Sequence, residues 1–99
     1  MLTVGLLAQL TAKDGREHDV EDLLRSAREL AAAEEQTVVW FAVRIDRTHF
    51  AIFDAFRDDT GRDAHLAGSI ASALMDNADR LLAEPPTISK VDVLAYLED

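Results

Sequence analysis

The stretch Val38-Val39-Trp40-Phe41-Ala42-Val43-Arg44, followed a few residues later by Phe50-Ala51-Ile52-Phe53-Asp54-Ala55-Phe56, constrains the fold more than any other part of the chain. Both runs are rich in β-branched and aromatic residues, which suit a pleated, packed surface, so they read as adjacent strands. In strand two, spanning Thr37 to Asp46, alternation sends Val39, Phe41, Val43 and Ile45 to one side and Val38, Trp40, Ala42 and Arg44 to the other. A strand that is apolar on both sides needs cover on both sides. Strand three runs from about His49 to Phe56. The Asp46-Arg47-Thr48 link lacks the Asn-Gly or Gly-X chemistry of the tightest hairpins, which predicts a somewhat longer connection.

The flanking segments supply the other layers. Leu2 to Ala12 alternates with period two and reads as strand one. Lys13-Asp14-Gly15 breaks that pattern, and from Arg16 the apolar residues Val20, Leu23, Leu24, Ala27, Leu30 and Ala31 take the three-and-four spacing of an amphipathic helix. The charged residues of helix one, among them Glu21, Arg25 and Arg28, read as a solvated face. Arg57-Asp58-Asp59-Thr60 ends strand three and offers Asp and Thr as N-caps. Leu66, Ile70, Ala73, Leu74, Ala78 and Leu81 then predict helix two, with a break near Gly68. Pro85-Pro86 stops it, and Ile88 to Leu97 is expected to be the last strand. The order βαββαβ predicts a ferredoxin-like α+β fold, a four-stranded antiparallel sheet with two helices on one face. No repeat or internal linker divides the chain, so residues 1–99 are expected to form a single domain. Two helices cover only one side of such a sheet. A homodimer packing sheet face against sheet face would cover the other, and a lysine at a sheet position such as Ala42 is expected to disrupt it.

Composition removes several function classes. A formal net charge of −9 repels phosphate backbones and anionic lipid, which argues against nucleic-acid and membrane partners. The absence of cysteine leaves no disulfide framework, thiol nucleophile or thiolate metal site. Met1 to Leu10 has no basic leader region, and its apolar run is too short to span a bilayer, so the expected location is the cytoplasm.

The chain resembles the antibiotic biosynthesis monooxygenase domains of the dimeric α+β barrel superfamily. The likeness is carried by the opening strand, the Lys13-Asp14-Gly15 turn, Trp40 on strand two and Phe53-Asp54-Ala55-Phe56 closing strand three. It continues through Ala64-His65-Leu66 at the start of helix two and Pro85-Pro86 before the last strand. The resemblance implies a dimeric α+β barrel and a cofactor-independent monooxygenase for a small phenol- or quinol-like aromatic substrate. In that chemistry the deprotonated substrate itself gives electrons to oxygen, and the protein binds it, takes a proton and stabilises charge in a dry pocket. Neither flavin nor metal is implied. The haem-degrading branch of the superfamily places an asparagine in the first strand, where this chain offers Gln9, so that activity is disfavoured.

His65 is the first choice for a general base, because imidazole titrates near neutrality. The alternative is a packed histidine with satisfied hydrogen bonds. Trp40 offers a flat surface for an aromatic ligand, although a lone tryptophan also suits a core or dimer contact. Arg44, on the same side of strand two, suits an anionic substrate group or an ion pair. Asp54 interrupts an apolar strand and must be paired or protonated if buried, with Arg44 or Arg62 as the expected partner. Ser69 and Asn77 on helix two are candidate donors into the cleft, and His18 and His49 read as solvent-exposed. An isomerase using the same residues, and a non-catalytic small-molecule-binding or interaction module, remain as alternatives.

Overall fold

The computed structural model describes residues 1–97. Strand β1 (Val4–Thr11) leads to helix α1 (Glu17–Ala32), strands β2 (Val39–Arg44) and β3 (His49–Phe56), helices α2 (Asp59–Leu66) and α3 (Ser69–Leu81), and strand β4 (Thr87–Asp92). The strands form one antiparallel sheet in the order β2-β3-β1-β4, the ferredoxin-like arrangement that the sequence pattern predicts.

Register decides which residues share a face. Leu6, Asp54 and Trp40 stand in one row across β1, β3 and β2, followed along the same face by Ala8, Ile52 and Ala42 and then by Leu10, Phe50 and Arg44. The helices cover this face. Val20 and Leu24 of α1 and Ile70, Leu74 and Leu81 of α3 join Leu10, Phe50 and Ile52 in the main core. Each such side chain, fully buried, contributes about 1.5–3 kcal/mol of transfer free energy.

The other face carries Val39, Phe41 and Val43 of β2 beside Leu7 and Phe53. Phe41 is 59% exposed and Ile45, just beyond the strand, 61%. Ala42 lies on the helix side instead, so a lysine there does not probe the uncovered face. Phe41 and Val43 are the positions that do.

Local chemistry explains where the elements differ from the sequence reading. Gly15, at φ 86°, makes the turn into α1 that a side chain would strain. Asp58 caps α2, its side chain accepting from the Gly61 N–H at 3.0 Å. The predicted second helix is two helices, interrupted at Gly68, which adopts extended backbone between them. A Cβ on Gly68 would stand 2.8 Å from Oε2 of Glu34 and 3.2 Å from the His65 carbonyl, so the break lets a carboxylate come close to the chain. The β2–β3 connection is longer than the tightest hairpins, as expected, with the Asp46 carboxylate accepting from the Thr48 and His49 N–H groups at 3.0 Å each. The last strand ends at Asp92, not Leu97. Asp92 is paired with Val4, where β1 begins, so Val93 to Leu97 run past the β1 ladder, with one further bond from the Val93 N–H to the Thr3 carbonyl at 3.0 Å.

Candidate active site

Asp54 sits within β3 with its side chain under the helices, and His65 lies in the last turn of α2, facing the sheet. They are 2% and 6% exposed, the two buried residues of the described chain that carry titratable side chains. His65 Nε2 is 3.0 Å from Asp54 Oδ2, and its Nδ1 is 2.6 Å from Glu34 Oε1. Glu34 follows the end of α1, where Thr37 Oγ1 also donates to its Oε1 at 2.7 Å. The Phe56 ring packs against the imidazole at 5.3 Å between centroids.

Electrostatics sets the protonation of this trio. Burial opposes the charged imidazolium, but hydrogen bonds to Asp54 and Glu34, together with their charges, outweigh it and raise the His65 pKa above its ordinary value of 6.5. A protonated ring donates from both nitrogens, which matches one carboxylate on each side. Two carboxyl groups, that of buried Asp54 and that of partly buried Glu34, thus flank one ring. Asp54 Oδ1 and Glu34 Oε2 are buried with no hydrogen-bond partner among the described residues. Each carboxyl group thus keeps one oxygen free of hydrogen bonds beside the imidazole.

Asp54 and His65 also border a cavity of about 30 Å³ between the sheet and the α2–α3 pair, walled by Leu6, Ile52, Ile70 and Leu74. Its walls are otherwise apolar.

The remaining predicted residues lie elsewhere. Trp40 stands opposite Asp54 in the β2–β3 ladder on the same face, and it packs partly against the core. With Arg44 it lines a separate, larger cleft of about 440 Å³ between α1 and β2. Arg44 pairs with Glu21 and lies 5.6 Å over the Phe50 ring, so it is not the partner of Asp54. Arg62 is not that partner either: it donates to Asp59 at 2.9 Å and to the Val91 carbonyl at 3.3 Å. Ser69 is exposed at the start of α3. Asn77 donates to the Ala73 carbonyl and accepts from Arg80, within its own helix. His18 and His49 are exposed, paired with Asp22 and Asp46.

Sequence reasoning missed Glu34, which sits in the Glu34-Glu35-Gln36 link after helix one and carries no periodic signal. It also placed Glu21, Arg25 and Arg28 on a merely solvated face, whereas all three line the α1–β2 cleft. Their i, i+4, i+7 spacing, read beside Arg44, was the available clue.

No family model matches the chain, and no curated protein does. Among solved structures, the chain is similar to the NE2512 protein of unknown function from Nitrosomonas europaea, at 47% identity and a TM-score of 0.97, covering 100% of this chain and 96% of that one. It is similar in fold to PA3566 from Pseudomonas aeruginosa, at 23% identity, a TM-score of 0.79 and coverage of 96% and 97%. An antibiotic biosynthesis monooxygenase aligns at 19% identity, a TM-score of 0.79 and coverage of 93% and 99%. The chain thus belongs to one family with the NE2512 protein and, by fold, stands with the antibiotic-biosynthesis-monooxygenase-like proteins.

Proposed function

We propose that this protein is a cofactor-independent monooxygenase of a small phenol- or quinol-like substrate, with the His65–Asp54 pair as the proton acceptor. The observation that carries the reading is Asp54 itself: a carboxylate buried in a strand, charge-fixed by His65 and unpartnered at Oδ1, on the wall of an apolar cavity. Both ring nitrogens of His65 already face carboxylates, and the cavity beside Asp54 has room for one water and not for a ring, so the proton of the substrate hydroxyl passes to Asp54 Oδ1 through that one water while His65 holds Oδ2 in place. The resulting phenolate is electron-rich at ring carbon and reduces oxygen directly. A phenol bearing a ring C–H and one O2 give a quinone and one water, so no further reductant is needed. Asp54 takes up the proton as negative charge develops on the substrate.

Oxygen uptake with a panel of hydroquinones and naphthols tests this. The expected result is consumption of one O2 per substrate without hydrogen peroxide, with quinone formed from the naphthols and hydroxyquinone from the hydroquinones in equal amount. Absence of uptake across the panel would overturn it. Substrate isomerised without oxygen would instead point to proton transfer alone.

A second reading rests on the size of the cavity. About 30 Å³ holds a water molecule and not an aromatic ring, which favours a non-catalytic module with Glu34, His65 and Asp54 as an internal ion network. A panel that neither binds nor reacts would select it.

We also propose that the protein is a homodimer, closed into an α+β barrel through the uncovered sheet face. Phe41, Val43 and Ile45 form an exposed apolar stripe on an edge strand, which is costly to leave in water.

A further inference from the structure

We propose that the cleft between α1 and β2 is a second small-molecule site, distinct from the cavity beside Asp54, and that it takes a planar organic anion of the aromatic carboxylate class. Neither Asp54 nor His65 lines this cleft, and the proposed oxygenase chemistry leaves it unused.

Its floor is apolar and partly aromatic, made by Leu24, Trp40, Ala42 and Phe50. Arg25 and Arg28 project from α1 on one side, and Arg44 rises from β2 on the other. Glu21 is the single acid among the lining residues. The hydrogen bond from Arg25 comes first in holding the Glu21 carboxyl below its ordinary range, with Arg44 adding to it against a small burial penalty, so Glu21 is ionised and neutralises one guanidinium. Arg28 pairs with Glu29, which lies outside the cleft, at 2.9 Å, so three guanidiniums against two carboxylates leave one positive charge on the cleft wall of a chain whose net charge is −9. That local reversal of sign is what draws a small anion to one place on an otherwise repelling surface.

The shape narrows the anion further. Guanidinium forks match a carboxylate with two parallel hydrogen bonds and also stack on aromatic faces. Arg44 already lies over the Phe50 ring, which leaves a layered arrangement of guanidinium and aromatic surfaces suited to a flat ligand. The Trp40 indole N–H is buried with no acceptor among the described residues. A volume of about 440 Å³ lies within the usual range for small-molecule sites.

Trp40 is the only tryptophan of the chain, so tryptophan emission reports on this one position. The test titrates the full-length protein with 2-naphthoate and with 2-naphthylmethanol, its uncharged counterpart, by calorimetry and by Trp40 emission. The expected result is saturable, salt-sensitive naphthoate binding with a change in Trp40 emission, at least about tenfold tighter than naphthylmethanol. Arg28→Gln and Arg44→Gln should each weaken it by about tenfold or more. Asp54→Asn should leave it unchanged, so failure of the oxygenase reading and failure of this one are separable. Equal binding of the two compounds, or naphthoate binding that survives the double Arg28→Gln, Arg44→Gln substitution, would overturn the proposal, as would no binding by a protein whose thermal melt shows it folded.

Discussion

His65 Nε2 and Asp54 Oδ2 stand 3.0 Å apart beneath the helices, and Glu34 holds the opposite nitrogen of the same ring at 2.6 Å. The three groups come from the end of α1, from within β3 and from the end of α2, so the contact exists only when the whole helix-covered face has assembled. The pair therefore couples folding to protonation.

That coupling has a definite sign. The folded-state pKa of His65 is raised, so the folded protein holds this proton more tightly than the unfolded chain does. The stabilisation is complete below the unfolded value of 6.5 and is lost as pH rises through the higher folded value. Urea unfolding from about pH 6 to about pH 9 should show stability falling over that window. His65→Gln should flatten the fall. Glu17, Glu21 and Asp46 have lowered pKa values and titrate on the acid side, outside it.

Single substitutions in the trio should not be equivalent. His65→Ala leaves the buried Asp54 and the partly buried Glu34 without the cation between them and should cost about 3–5 kcal/mol. Asp54→Asn and Glu34→Gln each leave the imidazolium one carboxylate, and each should cost about 1–3 kcal/mol. Chemical denaturation of the three variants at one pH gives the order. An equal or smaller loss for His65→Ala would mean that the cluster is not an ionised network.

Alternation in β2 and β3 and the helical spacing of Val20, Leu24 and Ala27 made the fold legible, because each pattern follows directly from which face is buried. The end of β4 was not, since strand length depends on where the partner strand begins, and nothing in Val93 to Leu97 records that β1 starts at Val4. Asp54 was recognisable as a buried carboxylate in an apolar run, and His65 as a residue on the inner face of its helix. Their contact was not, because an arginine is the commoner partner and sequence gives no register between α2 and β3. Glu34 lay further from view, in a link without periodic signal, its carboxylate admitted by the missing side chain at Gly68.

The uncovered sheet face predicts self-association. Phe41→Lys should convert a dimer to a monomer in sedimentation velocity at micromolar concentration, since Phe41 is exposed on the side opposite the helices. Ala42→Lys, one residue along and on the helix side, should leave the dimer intact. Loss of association with Ala42→Lys but not with Phe41→Lys would place the interface elsewhere.

The most direct test of the central claim is the rate of oxygen consumption by Asp54→Asn against the unsubstituted protein, with a hydroquinone that the latter oxidises. Asparagine keeps the shape and the hydrogen bond to His65 but cannot take the proton at Oδ1. Turnover should fall by about 100-fold or more while the variant stays folded, the scale expected on removal of a general base. An Asp54→Asn protein that consumes oxygen at the unsubstituted rate would contradict the account.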